Sequence, residues 1–280
     1  YSSAAARMLA AGLLIALAGS AAAQPAYPGR MIRLIVPFPP GGSNNILARL
    51  MAQKLTDSWG QQVLVDNRPG GNGIIGGEAL LKSPPDGYTI MHISSTHIIT
   101  SNLLPTPYNT IKDFAPVATI GGSELVLVLH PSVPADTLQD FIALARSKPG
   151  QLNHASPGTG SVAHLASELF NILAGVKMQD IPYKGGAPAI TDLIGGQVHL
   201  SFNVPLSVIP HVKAGKLKAI AVSGEARLSA LPKVPTFSEA GLSGFDVRFW
   251  QGILAPAGAP RAIIDKLSTE IARILAMPDI

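Results

Sequence analysis

Short apolar runs alternate with stretches of helical periodicity along most of the chain. Runs rich in branched and aromatic residues predict strands over 32–36, 63–65, 88–93, 125–129, 152–156, 180–183, 198–202, 217–222 and 249–254. Apolar positions recurring at helical spacing predict helices over 46–59, 74–81, 138–147, 162–174, 188–194 and 261–276. Strands that alternate with helices predict sheets that are mainly parallel and flanked by helices, an α/β architecture. Nine strands divide more naturally into two sheets than one. Gly121-Gly122 in "ATIGGSELVLVLHPSVPADT" marks one crossing between lobes, and "AGLSGFDVRFWQGILAPAGAP" marks the return. The expected lobes are 24–121 plus 246–280, and 122–245. A chain that crosses twice makes a hinge of a few residues, suited to closure on a ligand.

Two turns predict where such a ligand would sit. In "IVPFPPGGSNNILARLMAQKL" the prolines end a strand, because they cannot donate to a ladder. Gly41 and Gly42 then let the backbone turn closely, and Ser43 or Asn44 is placed to cap a helix whose expected buried stripe is Ile46, Leu47, Leu50, Met51 and Leu55. A helix N-terminus at the carboxyl end of a strand presents bare N–H groups and is an anion site. One terminus contributes only ~0.3–1 kcal/mol, so a second cradle is required. "LNHASPGTGSVAHLASELFNILAG" repeats the design. Gly158, Thr159 and Gly160 make the turn, Ser161 is the expected cap, Leu165, Leu169, Ile172 and Leu173 the expected stripe, and Gly175 the stop. Ser94, Ser95 and Thr96 in "MHISSTHIIT", and Asn203 in "LSFNVPLSVIPHV", fall at the carboxyl ends of other strands, where a cleft would lie. None of these loops carries an arginine, so a ligand's charge would meet N–H groups, hydroxyls and water.

Composition narrows the options. The 280 residues are 47% hydrophobic and 14% charged, which suits two packed lobes and excludes a disordered tail or a coiled coil. The net charge of +4 is scattered, without the clustered cations that nucleic-acid binding needs. With no cysteine there is no thiol nucleophile, thiolate metal site, disulfide or lipid-anchored cysteine. Arg7, the apolar run 8–18 and "GSAAAQ" read as an export signal cleaved near Ala23, too short to span a bilayer core of ~30 Å. Residues 1–23 are thus expected to be removed and the mature chain to work outside the cytoplasm. A first residue Tyr1 and a last helix that stops at "MPDI" read as a fragment truncated at the C-terminus.

Other chemistries are poorly supported. Gly71-Asn72-Gly73-Ile74-Ile75-Gly76 fits G-x-G-x-x-G, but "VDNRPG" separates it from its strand; Gly158 to Ala163 fits the variant, with Asp180 following, but lies mid-chain. No nucleotide cofactor is expected. No G-x-S-x-G elbow is present, and the histidines lack zinc spacing, so neither catalytic nor metal-ligating residues are assigned. The competing reading from another class is a secreted α/β serine hydrolase acting on a carboxylic ester, built on Ser43 or Ser161.

"YPGRMIRLIVPFPPGGSNNILARLMAQKL", "VDNRPGGNGIIGGEALLKSPPDGYTI", "HASPGTGSVAHLASELF", "IPYKGGAPAITDLIGGQVHLSF" and "PHVKAGKLKAIAVSGEARLSALPKVPTFSEAGLSGF" together resemble the substrate-binding proteins of tripartite tricarboxylate transporters, the Bug receptors. The resemblance covers nearly the whole chain after the signal. It implies a periplasmic-binding-protein-like clamshell (a Venus flytrap) and no enzymatic activity. Such a receptor, expected to be a monomer, carries a small organic anion (a di- or tricarboxylate or an aromatic carboxylate) to membrane permease subunits. The resemblance also implies ligand contacts from Pro40, Gly41, Gly42, Ser43, Asn44 and Asn45, and from Gly158, Thr159, Gly160, Ser161 and His164. Where the family loop often has Asp this chain has Asn45, which argues against any role there that needs a charge; where many members have Asp after the late strand it has Asn203, which disfavours a ligand carrying an ammonium group.

Overall fold

The computed structural model describes residues 27–278 and 280; the expected signal segment, 1–23, lies outside them. Ten strands and eight α-helices are arranged as two five-stranded sheets. The first sheet has the order β2 (Val63–Asn67), β1 (Ile32–Val36), β3 (Thr89–Ser94), β10 (Arg248–Pro256), β4 (Phe114–Glu124). The second has the order β7 (Gln179–Pro182), β6 (Asn153–Ser156), β8 (Leu200–Asn203), β5 (Val126–Leu129), β9 (Lys218–Val222). Both sheets are mixed. β1 pairs in parallel with β2 and β3, whereas β10 runs antiparallel to β3 and β4. β6 pairs in parallel with β7 and β8, whereas β5 runs antiparallel to β8 and β9. The one reversed strand of each sheet, β10 in the first and β5 in the second, is the strand by which the chain enters from the other sheet without a crossover helix, so nothing turns it back into the parallel direction.

The helices are α1 (Ser43–Trp59), α2 (Ile74–Leu81), α3 (Ser95–Leu103), α4 (Leu138–Ser147), α5 (Val162–Ala174), α6 (Gly186–Ile194), α7 (Pro205–Lys213) and α8 (Arg261–Leu275). α1 and α8 cover one face of the first sheet, packing Ala48, Met51, Leu55, Leu267 and Ile271 on Ile32, Leu34 and Val36. The other face buries Ile35, Met91 and Ile93 with Leu80 of α2. In the second sheet β5 shows the period of two: Leu127 and Leu129 face α4 and α5, while Val126 and Val128 face α6 and α7. Phe141, Phe170, Phe202, Phe237 and Phe245 form one aromatic cluster there, each worth about 1.5–3 kcal/mol of burial.

β4 continues past Gly121-Gly122 to Glu124, and Leu125 alone joins it to β5. The return from β9 to β10 passes Ser223, whose hydroxyl accepts from Leu125 N (2.9 Å) and donates to Val247 O (2.5 Å). One side chain thus ties the two crossings together.

Local details depart from expectation for identifiable reasons. The α1 N-cap is Gly42 and no side chain caps it, so Ser43 and Asn44 are already inside the first turn. The buried face of α1 is Ala48, Met51, Ala52 and Leu55, with Ile46 and Leu50 turned outward. On α5 the buried face is Val162, Ala163, Ala166, Phe170 and Ala174, while Leu165, Ile172 and Leu173 are exposed. In both helices alanines share the sheet-facing side with a few large residues, Met51, Leu55 and Phe170, while Ile46, Leu50, Leu165, Ile172 and Leu173 lie at the margin.

His92 on β3 is fully buried, with Gln251 of β10 its polar neighbour. His97 stacks on Tyr108 and meets Phe114 edge-on. Burial pushes both imidazoles down to about 4 from 6.5. Both stay neutral in the fold, whereas an unfolded chain takes up protons below 6.5. Stability should therefore be full above pH 6.5 and fall as pH drops toward 4, by roughly 3 kcal/mol per histidine. Thermal unfolding followed against pH should show this decline, and His92→Met should make it shallower; an equal slope in the variant would refute the assignment.

Candidate functional site

The carboxyl ends of the strands of both sheets face one another across a cleft. At its centre is a cavity of about 60 Å³ lined from the first sheet by Phe38, Pro39, Gly42, Ser43, Asn44, Ser94 and Thr96. From the second come Pro157, Ser161, Val162, Ala163, Gly186, Phe202, Asn203, Val204 and Ser207, with Leu125 and Phe249 from the crossings. Five helices begin at this cavity: α1 at Ser43, α3 at Ser95, α5 at Val162, α6 at Gly186 and α7 at Pro205. The first N–H groups of each have no intrahelical acceptor, and each macrodipole puts its positive end here. None of the residues lining the cavity carries a charged side chain. The positive ends of these peptide dipoles are therefore what the lining itself offers an anion.

The side chains agree with that reading. Asn44 Oδ1, Ser94 Oγ, Ser95 Oγ and Asn203 Nδ2 are buried and have no hydrogen-bond partner among the described residues. Buried polar atoms are nearly always paired, so four orphans beside one cavity mark groups arranged for an occupant. Phe38, Leu125, Val204 and Phe249 supply apolar walls.

The two expected cradles therefore meet. Gly42, Ser43 and Asn44 line the cavity, as do Ser94, Thr96, Ser161 and Asn203, and Ser95 lies buried beside it. Pro40 and Gly41 are exposed and outside the cavity lining. Asn45 turns away: its Oδ1 accepts from Gly41 N (3.3 Å) and Arg49 Nε (3.2 Å), and its Nδ2 donates to Asn67 Oδ1 (3.2 Å). Asn67 in turn donates to Phe38 O (2.8 Å). The pair pins the Pro-Pro-Gly-Gly turn and is not aimed at an occupant. Gly158 and Thr159 line a flanking cavity of about 270 Å³ together with Asn72 and Lys184. Gly160 N donates to His164 Nδ1 (3.1 Å), so His164 braces the turn from behind. Ser161 is the helix cap expected for α5, accepting from His164 N (3.2 Å).

The sequence reading missed the α6 and α7 termini and the aromatic walls. "KGGAP" carries a glycine pair before a helix, the same signal as the first cradle, and could have been found. Contact between the two sides depends on absent side chains. A Cβ on Gly158, whose φ is +142°, would lie 2.2 Å from Asn72 Oδ1, and one on Gly185 would lie 2.6 Å from Pro39 Cδ. Asn72 Nδ2 donates across the cleft to Thr159 O.

The serine hydrolase alternative finds no support. Ser161 Oγ is engaged as a cap, and the His164 ring spends Nδ1 on Gly160 N while Nε2 faces Asp180 (3.9 Å). No imidazole is left to act as base for Ser161, which the nucleophile logic requires.

Comparison with known proteins agrees. The model of the tripartite tricarboxylate transporter family receptor matches residues 47–280. Protein BugT of Bordetella pertussis is 41% identical over 271 residues, covering 95% of this chain and 83% of that protein. An R. palustris protein solved with adipate superposes with a TM-score of 0.87 at 35% identity, covering 90% of this chain and 85% of its own. MatC from Rhodopseudomonas palustris, solved with bound malate, gives 0.85 at 32% identity, with 90% and 87% covered. The chain belongs to the tripartite tricarboxylate transporter receptor family, and is a two-lobed solute-binding receptor rather than an enzyme.

Proposed function

We propose that this receptor works outside the cytoplasm, binds a small dicarboxylate or related organic carboxylate between its lobes, and delivers it to the membrane permease subunits of a tripartite tricarboxylate-type transporter. The observation that carries this is the convergence of five helix N-termini on a cavity free of charged side chains. The adipate and malate held by the two solved relatives support the carboxylate class. The moving bodies are 24–121 with 246–280, and 122–245. Residues 1–23 act as the export signal, and the periplasm is the compartment. The mature receptor acts as a monomer, and N–H recognition of this kind calls for no cofactor or metal.

Magnitudes fit a reversible receptor. Five termini at about 0.3–1 kcal/mol supply ~1.5–5 kcal/mol, a range whose upper part reaches the ~4 kcal/mol of a millimolar complex. Two or three hydrogen bonds to a charged group, at about 1.5–3 kcal/mol each, bring the affinity to micromolar. The cavity of about 60 Å³ has room for only a handful of water-sized groups at ~10–15 Å³ apiece, so the occupant is small. Ligand touching both sides favours the closed form by population shift.

Calorimetry with adipate, malate and tricarboxylates should show saturable binding with no product formed. Glutamate and aspartate should bind poorly, because no acidic group lines the cavity to meet an ammonium; tight glutamate binding would overturn the assignment. Ser94→Ala removes an orphan hydroxyl, so it should weaken carboxylate binding while holding or raising the melting temperature, by ~1 kcal/mol in stability. Reduced stability with unchanged affinity would show that Ser94 serves the fold instead.

Closure can be tested separately. Gly158→Ala places a methyl against Asn72, so it should prevent full closure and weaken binding. X-ray scattering should then show little contraction on adding ligand, and Asn72→Ala in the same background should restore part of it. Normal contraction in Gly158→Ala would exclude this contact from the closed state.

A further inference from the structure

A buried polar cluster lies directly behind the second cradle and outside the cavity. Asp180, on β7, is 12% exposed, and its Oδ1 faces His154 Nδ1 at 2.8 Å. Its Oδ2 accepts from the Ser156 hydroxyl (3.0 Å) and lies 3.9 Å from His164 Nε2. His154 is fully buried, and its Nε2 accepts from Phe202 N (3.4 Å). That fixes its proton on Nδ1, donated to Asp180. His164 has the opposite pattern: Nδ1 accepts from Gly160 N (3.1 Å), so its proton is on Nε2, facing the same carboxylate. Glu168, one turn further along α5, is the other acidic group acting on this cluster.

Asp180 therefore holds one end of the loop by a hydrogen bond from Ser156 and faces the other end, at His164, across 3.9 Å. Ser156 is the last residue of β6, immediately before Pro157-Gly158. His164 is in the first turn of α5, immediately after Gly160-Ser161. Resting on the receptor reading above, we propose that Asp180 is a positioning residue for ligand binding. Through its hydrogen bond from Ser156, and through its attraction across 3.9 Å for the Nε2–H of His164, which braces Gly160, it fixes the turn 157–161 and aims the first N–H groups of α5 into the cleft, without touching the ligand. Coulomb's law alone predicts the reverse, since a carboxylate near an anion site repels the occupant. The sign of a neutralising substitution therefore separates the two effects.

Asp180→Asn should weaken binding of malate or adipate by about tenfold, the equivalent of one lost hydrogen bond. Tighter binding would mean that repulsion dominates and would overturn the proposal. Two readouts need no ligand. In nitrogen-15 spectra of the wild type, His154 should show the Nδ1–H tautomer and His164 the Nε2–H tautomer; a cationic or Nδ1–H His164 would refute the arrangement. Amide exchange at Gly160 should accelerate in Asp180→Asn and in His164→Leu, and stay near wild type in His164→Asn, whose Oδ1 can replace Nδ1 as acceptor. Unchanged exchange in Asp180→Asn would sink the proposal even if its melting temperature fell. Because exchange and tautomers are read on free protein, they decide this point independently. A wild type that binds neither malate nor adipate would count against the receptor reading alone.

Discussion

An anion taken out of water must be met by positive charge, and this molecule meets it without a cation. That constraint organises the rest. Peptide dipoles act strongly only within the first turn of a helix, so several N-termini must reach one small volume. In α/β sheets the helices that follow parallel strands begin at the strands' carboxyl ends. Placing two such ends face to face is the arrangement that brings α1, α3, α5, α6 and α7 onto a single cavity. The two-lobed fold is thus the solution to a charge problem. An arginine would supply more attraction in one step, but its long side chain must be ordered and desolvated. Helix termini are already ordered by the fold.

The same design couples binding to closure. Among the described residues, Asn44 Oδ1, Ser94 Oγ, Ser95 Oγ and Asn203 Nδ2 lie buried without hydrogen-bond partners, and in the proposed function this is the closed cleft. Each unpaired buried group costs about 1–3 kcal/mol, so an empty closed cleft is disfavoured and an open, hydrated one relieves the cost. A ligand that pairs these groups removes the penalty only in the closed form. In the proposed closure the motion is confined where Ser223 bonds both Leu125 N and Val247 O. Two crossings joined at one hydroxyl bend together, which leaves each sheet and its core intact.

Much of this was legible in the sequence. The alternation of elements, the paired glycine-bearing turns, Ser161 as a cap and the meeting of the two cradles all follow from local chemistry. What escaped had physical causes. α3, "STHIITSNL", is polar and β-branched at its start, so it reads as a loop. α7 contains Pro210, and β4 carries Pro116 and Gly121-Gly122, which argue locally against any regular element. Packing of α3 on β3 and β10, pairing of β4 with β10, and burial of Val208 of α7 in the core of the second sheet override those signals. Asn45 and His164 sit at cradle positions in the sequence yet turn to brace the backbone. Spacing places a residue near a site but cannot say which way its side chain faces.

Those two residues show how the cradles are made rigid. In the first, Asn45 and Asn67 hold the turn with neutral amides bonded to Gly41 N and Phe38 O. In the second, a carboxylate does the equivalent work through two imidazoles and a hydroxyl. The difference follows from what each turn leaves unpaired. The first turn presents one N–H and one carbonyl, which amides satisfy together. The second brings the Ser156 Oγ–H at the end of a strand and the His154 Nδ1–H onto one acceptor, with His164 Nε2 of the following helix 3.9 Å away. Only an ionised carboxylate has enough lone pairs to take them at once. Its buried position behind the loop keeps the acceptor on the donors and off the ligand's side of the cleft.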